Sequence, residues 1–271
     1  MHERISIHQI CFAGATLSDF VQQCRTLGAK RIGLISPALL APNGLADARA
    51  ALAGSDLAVQ TVAHVFKAGH LSANRDESQE SREALARLID IAAELGARSI
   101  YLLTGGHGGL SWGDAANCFS EAIAPCVEQA NAAGINLAIE NASSLYADIH
   151  IAHSLADTIT LAEMANVGVC IDLFFCWAEA NLPALFERAM PRCQLIQLSD
   201  YVYGDRALPA RAVPGDGAIP LESIVRSLLD AGYKGVFDLE LLGPRIDAEG
   251  RHVAVARAAN YVGALLTRLN V

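Results

Sequence analysis

The chain has 271 residues, of which 52% are apolar and 18% are charged. A chain of this length and composition can bury a large hydrophobic core, which excludes disorder as its main state. Its 29 acidic and 20 basic residues give a net charge of −9. This balance disfavours a nucleic-acid partner, because affinity for phosphodiesters comes largely from Lys and Arg.

The seven cysteines are scattered and include no Cys-x-x-Cys pair, so neither a disulfide framework nor a thiolate zinc site is predicted. Residues 1–10 lack the long apolar core of a signal peptide. No run of about eighteen apolar residues is present to span a bilayer. We therefore expect a reduced, soluble, cytoplasmic protein.

Short apolar runs alternate with helical periodicity about eight times along the chain. The predicted strands are Ile5–Ile10, Arg31–Ile35, Ala58–Val65, Ser99–Thr104, Asn136–Glu140, Val167–Asp172, Gln194–Ser199 and Val236–Leu241. Between them lie apolar stripes at helical spacing, as in Leu17, Phe20, Val21 and Cys24, in Leu85, Leu88, Ala92 and Leu95, and in Leu221, Ile224 and Leu228. Such strand–helix alternation predicts a parallel sheet.

Glycines mark the joints between these units. Gly28, Gly96, Gly134 and Gly232 each stand between a helical stripe and the next predicted strand, where a glycine closes the last helical turn. Eight units in about 250 residues predict a closed (β/α)8 TIM barrel, which we take as one domain over residues 1–271. An open doubly wound sheet is less favoured, because no G-x-G-x-x-G loop follows the first strand.

Polar side chains interrupt the last four apolar strands near their C-terminal ends, where a barrel of this kind carries its catalytic groups. They are Glu140, Asp172, Gln197 and Glu240. Each acid alone is more simply a helix cap, but carboxylates converging at one barrel mouth would repel one another unless a cation held them. The all-oxygen set favours Mg²⁺ or Mn²⁺, with Co²⁺ and Zn²⁺ as alternatives.

Five segments resemble the xylose isomerase-like TIM barrel superfamily, which holds sugar isomerases and epimerases and also endonuclease IV-type AP endonucleases. They are Leu137–Asn141, Cys170–Asp172, Ile196–Asp200, Val213–Gly217 and Gly232–Glu240. The resemblance covers most of the chain and is strongest between Asn136 and Leu242.

Members of this superfamily bind a divalent metal through Glu, Asp, His and Glu at the ends of the last four strands. The resemblance therefore implies Glu140, Asp172 and Glu240 as metal ligands. Gln197 replaces the usual histidine, as in hydroxypyruvate isomerase-like members, and its amide oxygen could also bind the metal. Phe175 stands where many members have a further histidine, which makes the site more apolar.

The implied ligand set suits proton transfer next to a carbonyl group, because a chelating metal stabilises the enediolate. In the family the first and last glutamates are both ligands and proton carriers, which implies Glu140 and Glu240 as the catalytic residues. We expect a metal-dependent isomerase or epimerase of a sugar, sugar phosphate or hydroxy-keto acid. Asp200 and Asp238 are predicted to orient ligands or to cap helices.

Three early histidines are weaker candidates for the site. His8 and His64 lie at or near strand ends, and His107 lies in the glycine-rich segment Gly105–Gly109. We rank His64, which ends an apolar run, and His107 as substrate-binding candidates. The backbone N–H groups of the loop that carries His107 could approach a hydroxyl or an anion. A structural histidine and a plain turn are equally good interpretations.

Two tryptophans and two arginines complete the substrate-binding candidates. Trp112 and Trp177 follow predicted strands and could lie against a sugar ring, although helix packing is the commoner role. Arg206 and Arg211 could clamp a phosphate or carboxylate as a fork, with a solvated surface arginine as the simpler interpretation.

Three other function classes stay open. A lyase or dehydratase could use the same metal site, because enediolate chemistry also expels a β-substituent. Endonuclease IV-type repair is disfavoured by the absence of histidine from the late strands and by the charge of −9. A binding barrel without chemistry is the last alternative. The expected partners are a small polyol, sugar or keto acid and further copies of the chain in a dimer or tetramer, with no nucleic acid and no membrane.

Overall fold

A closed barrel of eight parallel strands forms the centre of the computed structural model, which describes residues 1–271. The barrel strands are β1 (Ile5–His8), β2 (Arg31–Ile35), β3 (Ala58–Val65), β4 (Ser99–Leu103), β5 (Asn136–Glu140), β6 (Gly168–Asp172), β7 (Cys193–Leu198) and β10 (Phe237–Leu239). Neighbouring strands follow chain order, and β10 closes the barrel against β1. Two short strands, β8 (Asp200–Tyr201) and β9 (Arg211–Ala212), form an antiparallel pair after β7.

Helices flank the barrel and bury their apolar stripes. They are α1 (Leu17–Thr26), α2 (Ser36–Leu40), α3 (Gly44–Leu52), α4 (Gln79–Glu94), α5 (Trp112–Ala133), α6 (Leu155–Ala165), α7 (Leu173–Cys176), α8 (Leu182–Ala189), α9 (Leu221–Asp230), α10 (Pro244–Glu249) and α11 (Arg251–Arg268). The stripes predicted in α1, α4 and α9 are largely buried. None of the helices combines the length and the apolar character needed to cross a membrane.

The predicted (β/α)8 fold is confirmed, although four strands are shorter than expected, β4 and β6 by one residue and β1 and β10 by more. The first strand ends at His8, because Gln9–Phe12 forms a 3-10 turn whose first free N–H, that of Ile10, donates to the His8 ring. The last strand ends at Leu239, so Glu240 follows it directly. All four joint glycines adopt the left-handed conformation, with φ of 69° at Gly28 and 72° at Gly134.

A small apolar layer inside the barrel sets the position of the site. Tyr101, Ala138, Cys170 and Leu195 pack together in the interior. Side chains two residues apart on a strand point to the same face of the sheet. The residues two positions beyond this layer on β5, β6 and β7 therefore also point into the barrel, at its C-terminal end.

Candidate active site

Three carboxylates meet at the C-terminal end of the barrel. Glu140, Asp172 and Gln197 each lie two residues beyond a member of the apolar layer, on β5, β6 and β7. Glu240 follows β10 directly. Carboxylate oxygens of Glu140, Asp172 and Glu240 lie within 4.8 Å of one another. The structure thus brings together the three acids singled out in the sequence, and this buried cluster could hold a divalent ion.

Burial makes three separate negative charges unfavourable here. Glu140 is 6% exposed and Asp172 is fully buried. Burial, and then the charges of Glu240 and Asp172, raise the pKa of Glu140 well above its usual value. Burial also raises the pKa of Asp172, although the charge of Arg211 opposes that shift. The cluster therefore favours a bound proton or a bound cation over three free carboxylates.

Arg211 on β9 places a buried guanidinium beside these carboxylates. Its Nη1 and Nη2 donate to the two oxygens of Asp172 at 3.1 and 2.5 Å, and Nη2 lies 3.3 Å from a Glu240 oxygen. The rings of Phe174 and Phe175 lie 4.8 and 5.2 Å from its guanidinium carbon. Burial opposes the charge of Arg211, but the two carboxylates outweigh it and raise the pKa of Arg211. The guanidinium is thus paired with the Asp172 carboxylate, and the expected contact of Arg211 with substrate stays a prediction.

Gln197 joins the cluster through its amide nitrogen. Its Nε2 donates to Glu240 and, at 3.2 Å, to the Tyr101 hydroxyl, which is also 3.1 Å from His8 Nε2. The amide oxygen accepts from the Cys170 thiol at 3.3 Å. In this orientation the nitrogen faces the carboxylates, so coordination of a metal by the oxygen would require the amide to turn over.

A cavity of about 430 Å³ opens beside Glu140 and Glu240. Its volume falls within the range of roughly 300–1,000 Å³ that small-molecule sites occupy. His64, at the end of β3, lines it, with Nδ1 2.8 Å from the Ser36 hydroxyl and with Nε2 buried and unpartnered. Burial lowers the pKa of His64 to about 4. A neutral imidazole with one uncommitted nitrogen therefore lines the cavity.

His107 and Arg206 lie away from this cavity. The His107 side chain is exposed and makes no hydrogen bond. The exposed Arg206 donates to the Tyr201 hydroxyl and to the backbone of Asp205. The structure does not bring either residue to the carboxylates, and their contact with substrate stays a prediction.

The two tryptophans also lie outside the cavity lining. Trp112 begins α5 and donates its Nε1–H to the carbonyl of Ile151 at 2.8 Å. Trp177 follows α7 and packs against the rings of Tyr201 and Tyr203, each with its centroid 6.3 Å away. These contacts match the packing role that the sequence left open for tryptophan, and stacking on a sugar ring stays a prediction.

Asp200 and Asp238 have different surroundings. The carboxylate of Asp200 accepts the backbone N–H groups of Gly215, Gly217 and Ile219 at 2.9, 3.0 and 3.0 Å, so it orders the loop that follows Arg211. Asp238 lies fully buried inside the barrel, and burial raises its pKa to about 8.

His150 supports the site and was missed in the sequence. Its Nδ1 accepts the N–H of Thr104 at 3.1 Å, and its Nε2 donates to the carbonyl of Glu140 at 2.9 Å. Because one partner only donates and the other only accepts, these contacts fix the tautomer of a neutral ring. Burial lowers the pKa of His150 to about 3. In the sequence it is one of several loop histidines, and no local pattern distinguishes it.

Comparison with known proteins agrees with this geometry. Residues 18–261 match the family model described as xylose isomerase-like TIM barrel. The chain belongs to this family. The resemblance seen in the sequence is thereby confirmed.

The individual proteins that resemble this chain have low sequence identity to it. Fructoselysine 3-epimerase of Shigella flexneri is 23% identical over 172 residues, which cover 60% of this chain and 59% of the relative. The chain thus spans less than two thirds of the length of that curated protein. Among solved structures, protein SMc04130 of Sinorhizobium meliloti 1021 is 25% identical, with a TM-score of 0.83 over 96% of this chain and 97% of that one. The IOLI protein with a bound zinc atom is 14% identical, with a TM-score of 0.82 over 98% of both chains, which shows a shared fold.

Proposed function

We propose that this protein is a divalent-metal-dependent isomerase or epimerase of a sugar or a related hydroxy-ketone. The observation that carries the proposal is the buried carboxylate cluster beside the cavity. Three carboxylates and one guanidinium leave two negative charges when all are ionised. A divalent cation would balance that charge.

The residues present fit such an ion. Glu140, Asp172 and Glu240 would hold it through oxygen atoms, with Gln197 as a fourth donor after its amide turns over. Oxygen donors favour Mg²⁺ or Mn²⁺, while the zinc atom in the IOLI structure keeps Zn²⁺ as an alternative. When bound, the ion supplies positive charge where a substrate carbonyl becomes negative as the neighbouring C–H proton leaves.

Glu140 and Glu240 are the proposed proton carriers. Both line the cavity, and they come from β5 and the end of β10, with β6 and β7 between them in the barrel. A substrate carbon placed between the two carboxylates would be within reach from two directions. Removal by one glutamate and return by the other would invert that carbon, and return to the adjacent carbon would move the carbonyl. The relative named a 3-epimerase supports this reaction class.

The test is metal-dependent proton exchange. Protein stripped with EDTA and reloaded with Mn²⁺ or Mg²⁺ is incubated in D₂O with D-fructose, D-psicose, D-tagatose or L-ribulose, and products are followed by chromatography and mass spectrometry. We expect deuterium uptake only with metal, together with a new ketose if the reaction is an epimerisation or a new aldose if the carbonyl moves to the terminal carbon. Replacing Glu140 or Glu240 by Gln should lower the rate at least 100-fold, in line with the roughly 10²–10⁴-fold contribution of general acid–base groups.

Glu80→Gln is the matched control, because Glu80 is exposed on α4 and belongs neither to the cavity lining nor to the carboxylate cluster. A titration in which wild-type protein binds none of Mn²⁺, Mg²⁺, Co²⁺ and Zn²⁺ would refute the proposal. The lyase alternative predicts a product that is lighter by the mass of its leaving group, so the same spectra separate the two reactions.

A further inference from the structure

The barrel mouth has two chemically different halves. The carboxylates come from β5, β6 and the end of β10. The opposite wall of the cavity comes from the first four strands and the segments after them, and it is largely apolar. Its apolar residues are Ile10, Ile35, Pro37, Leu40, Ala63, Val65 and Leu103.

No lysine or arginine lines this cavity. Lys67, the first cationic residue after β3 in the chain, donates from its ammonium group to the carbonyl of Glu77. The guanidinium of Arg211 is engaged by Asp172 and Glu240. The cavity therefore offers no free positive charge to the part of a substrate that extends away from the carboxylates.

Four polar side chains, those of His8, Ser36, His64 and Tyr101, lie among the apolar residues of this wall. The Tyr101 hydroxyl is bonded to His8 and to Gln197. Ser36 holds His64 at 2.8 Å, which leaves His64 Nε2 as a single hydrogen-bonding atom without a partner. One such atom can pair with one hydroxyl. An arm bearing several hydroxyl groups would leave the others unpaired against aliphatic carbon, which opposes binding.

We propose that the wall formed by β1–β4 is a specificity pocket for a neutral hydroxy-ketone whose arm ends in an apolar group, such as a deoxy or alkylated sugar, and that it rejects phosphorylated sugars. This proposal rests on the proposed function for the placement of the reacting end. A phosphate in the pocket would lose water, meet no cation and lie near two glutamates, so its binding is opposed. A terminal methyl group would instead bury its surface against the wall.

The test compares three sugars that differ only at C6: 6-deoxy-D-fructose, D-fructose and D-fructose 6-phosphate. Dissociation constants are measured by calorimetry on Mn²⁺-loaded protein, and exchange rates are measured separately in D₂O. We expect the 6-deoxy sugar to bind at least about tenfold more tightly than the phosphate, with D-fructose between them, since one apolar group in a fitted pocket changes recognition by roughly 10–200-fold.

Equal or tighter binding of the phosphate would overturn the proposal, as would the absence of binding by all three sugars. Binding in the expected order without deuterium exchange would refute the proposed reaction and leave the pocket assignment standing. The affinities therefore test the pocket, and deuterium exchange tests the proposed reaction, independently of each other.

Val65 allows the preference to be reversed. It is 38% exposed at the end of β3 and lines the pocket, so a longer side chain can be accommodated there. Val65→Lys should tighten D-fructose 6-phosphate at least tenfold and weaken the 6-deoxy sugar, whereas Val65→Gln, of similar length without charge, should not favour the phosphate. If Val65→Lys and Val65→Gln give the same order of affinities, the missing cation does not set specificity and the proposal fails.

Discussion

Replacing Arg211 by Met tests how far its positive charge stabilises the buried carboxylate cluster. Arg211 is the cation that Asp172 and Glu240 share, and it is 3% exposed. Without it, three buried carboxylates face one another with no counter-charge. Removing one partner of a buried ion pair costs about 3–5 kcal/mol, and we expect a loss of that size for the metal-free protein at pH 8.

Metal should return much of this stability. Under the proposed function, a divalent ion would bind only the folded cluster, and at one hundred times its dissociation constant it would add about 2.7 kcal/mol. The Arg211→Met protein should also bind Mn²⁺ more tightly than wild type, because the repulsion from the guanidinium is gone and Asp172 is freed. Urea unfolding at pH 8 with EDTA or with Mn²⁺, together with calorimetric titration of Mn²⁺, measures both effects.

The matched control is Arg206→Met, the same substitution five residues earlier on an exposed side chain. It should change stability by less than about 0.5 kcal/mol. An Arg211→Met protein that loses less than about 1 kcal/mol in EDTA, or that is not rescued by Mn²⁺ more than wild type, would refute this account of the cluster.

Two further substitutions test the residues around the site. His150→Gln should lower the stability at pH 7.5 and should make stability fall less steeply below pH 6.5. The pKa of His150 is about 3 in the folded protein and about 6.5 in the unfolded chain, so the unfolded chain takes up the proton first. The wild type therefore loses stability as the pH falls between those values, by up to about 1.4 kcal/mol per pH unit. Urea unfolding at pH 4.5, 5.5, 6.5 and 7.5 measures this. Trp112→Phe leaves the Ile151 carbonyl without its partner and should cost about 1–3 kcal/mol in urea unfolding at pH 7.5.

Matched controls exist for both variants. His107→Gln changes an exposed ring with no hydrogen bond and should leave the pH profile unchanged; an unaltered slope in His150→Gln would contradict the role given to His150. Trp177 donates no hydrogen bond from its indole, so Trp177→Phe should cost less than Trp112→Phe. Equal losses would show that the Ile151 contact is immaterial.

The barrel and its three acids were predictable because local pattern fixes them. Apolar runs and glycine stops locate the strands, and the period of two residues decides which side chains face the interior. Once eight parallel strands close, their C-terminal ends must meet at one mouth. Glu140, at the end of β5, and Glu240, just after β10, therefore had to come together although they lie far apart in the sequence.

The tertiary structure alone decided which loop residues belong to the site. Arg206 and Arg211 stand five residues apart and were equal candidates, yet only Arg211 reaches the carboxylates, because the short strand β9 returns to the mouth. His107 and His150 show the same contrast: His107 is exposed, whereas His150 is buried and hydrogen-bonded to the backbone carbonyl of Glu140. Periodicity records which face a side chain takes on a strand or helix, whereas the path of an irregular segment depends on distant contacts that no local pattern encodes.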